Sequence, residues 1–205
     1  MNGYNIGILG GTFNPIHIGH LILAQSAVED FELNRVVFVP CASPPHKLAP
    51  DLVDGRHRLD MVSSAIASNP VFDVSDIELR REGVSYAIDT VKALSAENPD
   101  SRFFFIVGSD MLPQLYEWRN IYELLQRCRF ITFARPGYDA KGVSASDLNL
   151  AAPWPERLMQ DITVSRQFDV SSTDIRYRIA EGLSIQYLVP PEVEMYINEH
   201  NLYLT

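Results

Sequence analysis

The chain has 205 residues, enough for one domain with a full core and short for two. Hydrophobic residues at 46% and charged residues at 21% are ordinary globular proportions and exclude a disordered chain. A net charge of -9 excludes broad, sequence-blind binding to nucleic acid or anionic membranes, yet a few cations focused in one cleft can still hold a small anion.

The two cysteines, Cys41 and Cys128, fit no zinc spacing and no disulfide framework, and both sit beside apolar runs as buried small hydrophobes. No stretch approaches 18 apolar residues, and the N-terminus shows no signal-peptide pattern, so a cytoplasmic location without membrane contact is expected.

In chain order, residues 4–9 read as a buried strand ending in Gly10-Gly11, and 17–31 as a helix with Leu21, Ala24 and Val28 on one stripe. Residues 35–40 are a second buried strand, followed by a Pro-rich loop. Residues 56–68 form a helix with Leu59, Val62 and Ile66 on one face, 72–80 a strand, and 85–97 a helix with Ile88, Val91 and Leu94, stopped by Asn98-Pro99. Residues 102–107 (RFFFIV) are the strongest strand; 121–126 are helical and 129–134 a further strand. Residues 138–160 read as loop with one helix, 162–168 as a last strand, 173–181 as a helix closed by Gly182, and 192–199 as a final short helix.

This alternation predicts an α/β fold: a Rossmann-like, doubly wound parallel sheet in a single domain, 1–205, with a small C-terminal helical extension. Ligands of such sheets bind beyond the carboxyl ends of the strands. The turns at Gly10-Gly11, at 108–110 and at 135–137 all fall on that edge.

The segment GGTFNPIHIGH, residues 10–20, carries the chemistry. Paired glycines turn the chain sharply and let a ligand approach the backbone. His17 and His20, three residues apart at a helix start, share one face of the first turn, where N–H groups and the helix dipole favour phosphate. Two imidazole donors there suit in-line attack at a phosphorus atom, with negative charge growing on its oxygens. Helix capping or metal binding are the competing readings; a His pair with no carboxylate or cysteine nearby makes a poor metal site. At the other end of the chain, VSSTDIR offers Ser171, Ser172 and Thr173 as N-caps and Arg176 as a bidentate phosphate donor or a solvated charge.

GGTFNPIHIGH resembles the H-x-G-H loop of the nucleotidylyltransferase superfamily, shared in shorter form with class I aminoacyl-tRNA synthetases, and VSSTDIR resembles its I-S-S-T-x-I-R segment, with Val170 in place of the usual Ile. From strand one to the closing LVPPEVEMYINEHNLY, the whole chain resembles the bacterial nicotinate-nucleotide adenylyltransferases. PPHK, REGVSYAIDT, VGSDMLPQLYEW and ARPG match that family's intermediate segments in order.

The resemblance implies transfer of the adenylyl group of ATP to nicotinate mononucleotide, giving deamido-NAD and pyrophosphate. It implies His17, His20 and Arg176 as catalytic residues. Gly10, Gly11, Thr12, Phe13, Gly108, Asp110, Ser172 and Thr173 are implied at the ATP. Lys47, Ser85, Tyr86, Trp118 and Arg135 are implied at the mononucleotide. Taken singly, Trp118 also reads as a core aromatic, Asp110 as a helix cap, and Lys47 and Arg135 as solvated charges. Mg²⁺ is expected to arrive with ATP, since no carboxylate cluster offers to hold it.

Two positions depart from the family pattern. Asn14 stands where Asp is frequent, and Ala87 stands where the resemblance implies that a Thr hydroxyl, with neighbouring backbone N–H groups, reads the nicotinate carboxylate, leaving the backbone to do so here. The second leaves nicotinamide mononucleotide open as an alternative acceptor. A phosphopantetheine-like acceptor is disfavoured by chain length and Trp118, and a non-catalytic nucleotide-binding module by the intact His17, His20 and Arg176. The sequence leaves open whether the chain is a monomer or a homo-oligomer.

Overall fold

The structure, a computed structural model, describes residues 3–44, 51–81, 83–134, 144–163 and 169–204. Strands β1 (Asn5–Gly11), β2 (Arg35–Pro40), β3 (Phe72–Val74), β4 (Arg102–Gly108), β5 (Arg129–Phe133) and β6 (Ile162–Thr163) form one sheet in the order β3-β2-β1-β4-β5-β6. The order reverses beside β1, as in doubly wound nucleotide-binding folds. The helices are α1 (Ile18–Asp30), α2 (Gly55–Ile66), α3 (Ala87–Glu97), α4 (Ile121–Arg127), α5 (Trp154–Gln160), α6 (Ser172–Ala180) and α7 (Pro191–Glu199). Among the described residues no helix is long and apolar enough to cross a membrane.

Contacts divide the chain into two compact units, each discontinuous in sequence. The first comprises residues 1–9, 23–36 and 86–167. In it β1 pairs in parallel with β4, β4 with β5 and β5 with β6. Ile6, Ile8, Phe103, Phe105, Ile106, Phe130 and Ile131 are buried along these strands, so their near-continuous apolar runs are those of strands covered on both faces. Gly7 is part of that packing, because a Cβ there would lie 2.8 Å from Leu33 Cδ1. α3 buries Ile88, Val91 and Leu94, as its periodicity predicts.

The second unit comprises residues 10–22, 37–85 and 168–205. Here α2 buries Val62 and Ile66, as expected, but the buried face turns to take in Met61 and Arg58 in place of Leu59. α2 and α7 pack together through Tyr196, whose hydroxyl lies 3.0 Å from His57 Nδ1 and donates to Asp60 at 3.0 Å.

Several elements differ from the sequence reading. The predicted strand 72–80 ends at Val74. The Ser75 hydroxyl accepts the Ile77 N–H, and Arg80 N–H returns to the Asp76 carbonyl, so the chain turns there and buries Glu78 instead of its apolar neighbours. Gly108 leads into a 3-10 helix, Ser109–Glu117, which contains Pro113; the sequence reading has no element there. Within 138–160, a short 3-10 turn capped by Ser144 and Asp147 precedes the one expected helix, α5, which begins at Trp154. β6 covers only Ile162–Thr163; the rest of the predicted strand 162–168 lies outside the described residues.

Both cysteines are buried, as expected. Burial pushes the Cys41 thiol up to about 11, with the Arg58 charge pulling the other way, and pushes Cys128 up to about 12. Neither is a thiolate near neutrality, so neither is a nucleophile.

Candidate active site

β1 delivers Gly10-Gly11 at its carboxyl end, and the chain then makes the turn Thr12–His17 into α1. Phe13 takes a left-handed backbone, φ 46°, which is strained for a residue with a Cβ. Its side chain is 1% exposed and wedges beneath the site, 5.0 Å edge-on to the His20 ring and 5.9 Å from Phe38. Phe13 is thus part of the floor that supports His20.

The two histidines meet face to face. Their ring centroids are 3.7 Å apart with planes inclined by 26°. α1 begins at Ile18, one residue later than expected, so His17 precedes the helix and His20 lies in its first turn. The His17 backbone N–H donates to His20 Nδ1 at 3.2 Å. With Nδ1 accepting, the neutral His20 ring carries its proton on Nε2, which makes that nitrogen a donor. Gly19 lies against the pair: a Cβ there would sit 3.0 Å from His17 Nδ1. A side chain at position 19 would thus crowd the His17 ring, which would have to give by a few tenths of an ångström.

The turn is held by buried polar groups that its own sequence does not reveal. Asn14, 3% exposed, uses its whole side-chain amide: Nδ2 donates to the Asp51 carbonyl at 2.8 Å, and Oδ1 accepts from the Val53 N–H at 3.3 Å and the Tyr203 hydroxyl at 2.9 Å. An Asp at this position would have no hydrogen to give the Asp51 carbonyl. Tyr203 is kept a donor across the working range because burial pushes its phenol well up, against the lowering charges of Arg176 and Arg58. Arg58, 1% exposed, donates from Nη1 to the Thr12 carbonyl at 2.8 Å and from Nε to the Val53 carbonyl at 3.0 Å.

Helix α6 reaches the same turn. Ser171 is its N-cap, accepting from the Asp174 N–H at 3.1 Å. That releases Ser172, whose hydroxyl donates to the Pro15 carbonyl at 2.8 Å, while Arg176 Nη1 donates to the Asn14 carbonyl at 2.9 Å. So the structure brings His17, His20, Ser172 and Arg176 together, from opposite ends of the chain. Thr173 and Arg176 line a cavity of about 580 Å³ with Asp51, Val53, Tyr177 and Tyr203.

The other expected residues have mixed placements. The Ser85 side chain accepts from the Ala42 N–H at 3.0 Å, and its own N–H donates to the Ser43 carbonyl, so Ser85 braces the loop after β2. Gly108 ends β4, and Asp110 lies in the first turn of the 3-10 helix. Half-buried Trp118 stands edge-on to Phe105 at 5.8 Å and tilted to Phe130 at 6.2 Å, so one side of it is a packing surface. Tyr86 precedes α3, with the Arg119 guanidinium 4.6 Å from its ring centroid. Lys47 and Arg135 lie outside the described residues. The sequence reading missed Arg58, Tyr203 and Arg119. Arg58 carried a signal, as a charge beside the apolar stripe of α2; Tyr203 carried none.

Residues 8–178 match the cytidylyltransferase-like family. A protein of Halalkalibacterium halodurans named "Probable nicotinate-nucleotide adenylyltransferase" is 46% identical over 201 residues, 98% of this chain and 91% of that one. The chain belongs to the nicotinate-nucleotide adenylyltransferase family. A second member under the same name, from Shouchella clausii, is 46% identical over 198 residues, 97% of this chain and 96% of its own. The fold is shared with a solved nicotinic acid mononucleotide adenylyltransferase of Plasmodium falciparum complexed with NaAD, at a TM-score of 0.77 and 20% identity, over 98% of this chain and 97% of that one. The Rossmann-like fold expected from strand and helix alternation is therefore that of the family.

Proposed function

We propose that this enzyme transfers the adenylyl group of ATP to nicotinate mononucleotide, releasing pyrophosphate and forming deamido-NAD, on a single domain spanning residues 1–205. The observation that carries the reading is the stacked His17–His20 pair, fixed on a turn that α6 grips through Ser172 and Arg176. Support for the acceptor comes from the names of relatives that match this chain over nearly its whole length.

An oxygen of the mononucleotide phosphate attacks the α-phosphorus of ATP, and the bond from that phosphorus to the pyrophosphate oxygen breaks. Negative charge rises on the oxygens around phosphorus. The His20 Nε2–H and the His17 ring answer it from fixed positions, so little reorganisation is needed at the moment of reaction. Arg176, tethered by one nitrogen to the Asn14 carbonyl, presents its remaining N–H groups to the leaving phosphates. Ser172 and Thr173 join it at the ATP, with Gly10, Gly11 and Thr12 allowing close approach along the turn. Gly108 and Asp110 are assigned to the ATP as well, and Lys47, Tyr86, Trp118 and Arg135 to the mononucleotide.

Among the described residues no group of three His, Cys, Asp or Glu side chains is placed to hold a metal ion, and imidazoles serving as phosphate donors do not suit one. Magnesium belongs in this reading to the ATP phosphates, whose charge it neutralises.

The test is pyrophosphate release from ATP·Mg²⁺ with nicotinate and nicotinamide mononucleotides offered in parallel. Strong release with the acid confirms the reading; none with either acceptor removes it. Ala87 favours a second reading, in which the amide is also accepted, and comparable rates would establish that one.

A further inference from the structure

The two aromatic residues assigned to the acceptor, Tyr86 and Trp118, are 32 positions apart, and the structure joins them through Arg119. Arg119 follows Trp118 directly. It sits on a short connection fixed on both sides: the Trp118 N–H closes the 3-10 helix on the Leu115 carbonyl, and the Leu124 N–H opens α4 on the Asn120 carbonyl. The Arg119 guanidinium then lies over the Tyr86 ring, 4.6 Å from its centroid. Arg119 is exposed and forms no ion pair with any described carboxylate. The nearby acids are engaged elsewhere: Glu117 accepts from the Tyr116 hydroxyl, and Glu123 is held by Lys92 and Arg127. Asp89, in the first turn of α3, makes no pair with it. On a protein of net charge -9, this is a cation parked on an aromatic face, with no hydrogen-bond acceptor for it among the described residues.

Directly after Tyr86 stands Ala87, which has no side-chain donor to offer an acceptor. We propose that Arg119 is a specificity-determining residue, its guanidinium selecting a pyridine mononucleotide that bears a carboxylate over the corresponding amide. The proposal rests on the reading of Tyr86 and Trp118 as acceptor residues. The chemistry discriminates in two ways. A guanidinium pairs both carboxylate oxygens and neutralises their charge. It has no acceptor, so the NH₂ of an amide would face donors only and remain unsatisfied. Tyr86 holds the planar group in place, which lowers the entropy lost when the substrate arrives.

The experiment measures kcat/KM for nicotinate and nicotinamide mononucleotides in the wild type, Arg119→Ala and Arg119→Lys, with KM for ATP alongside. Arg119→Ala is expected to lower the acid-to-amide ratio roughly tenfold, a charged hydrogen-bond contribution, chiefly through KM for the acid. Arg119→Lys keeps the charge and should lose less, and KM for ATP should stay near the wild-type value. An unchanged ratio in Arg119→Ala, equal losses on both acceptors, or a lysine variant as poor as the alanine one would overturn the proposal. Failure of the functional reading is distinct, because it appears as a wild type that turns over neither mononucleotide.

Discussion

The histidine turn and the Tyr86–Arg119 segment are built from opposite materials. The turn is fixed by hydrogen bonds onto its backbone carbonyls and onto the Asn14 amide, supplied by Arg58, Ser172, Arg176 and Tyr203. The Tyr86–Arg119 segment stands on ring contacts among Trp118, Phe105 and Phe130, and a cation lies on its exposed rim. Stabilising a transition state needs donors that do not move, and buried, fully paired polar groups give that rigidity. Recognising a flat heterocycle needs a supported aromatic face with one side left accessible.

The comparison breaks most readily at the chemistry itself. His20→Ala should lower kcat by roughly 10²–10³ with little change in KM for ATP, since one preorganised donor is lost. Steady-state kinetics returning a near-wild-type kcat would remove His20 from the role. The scaffold beneath the turn comes next. Arg58→Met strips partners from the Thr12 and Val53 carbonyls in a buried site and should cost about 3 kcal/mol of stability. Urea unfolding that shows no loss would mean the turn is held without it.

Trp118→Ala sharpens the contrast from the other side. It should raise KM for the mononucleotide by about tenfold, in the range of a lost stacking contact, and leave KM for ATP nearly alone. Equal changes in both would assign Trp118 to packing on Phe105 and Phe130. The smallest effect belongs to Tyr203→Phe. It removes one hydrogen bond to Asn14 and should cost about 1 kcal/mol, with a modest fall in kcat as the turn loosens. A loss of stability with kcat untouched would separate the tyrosine from the chemistry.

Much of this was legible in the linear chain. Apolar runs marked β1, β2, β4 and β5 because those strands are covered on both faces, and periodicity marked α2 and α3 because each buries one stripe. The H-x-G-H string stood out in the sequence, but the stacking of its two rings was decided by the turn, because His17 precedes the helix instead of lying in its first turn. The strand predicted at 72–80 failed because a local Ser75 side-chain bond outcompeted β propensity. Ser85 read as a ligand group in the sequence, and its hydroxyl also braces the loop after β2, a contact that a single hydroxyl in a sequence cannot disclose.

The sequence by itself determined the α/β class, because hydrophobic period is a local property of the chain, and its motifs, by resemblance, the histidine turn and the family. Only the tertiary structure decided what holds the turn and what lies over the Tyr86 ring. Tyr203 meets Asn14 across 189 positions, and Arg119 meets Tyr86 across 33. Partners that distant are chosen by which strands adjoin and which helix faces pack, and a buried polar atom must then pair with whatever that packing brings within reach.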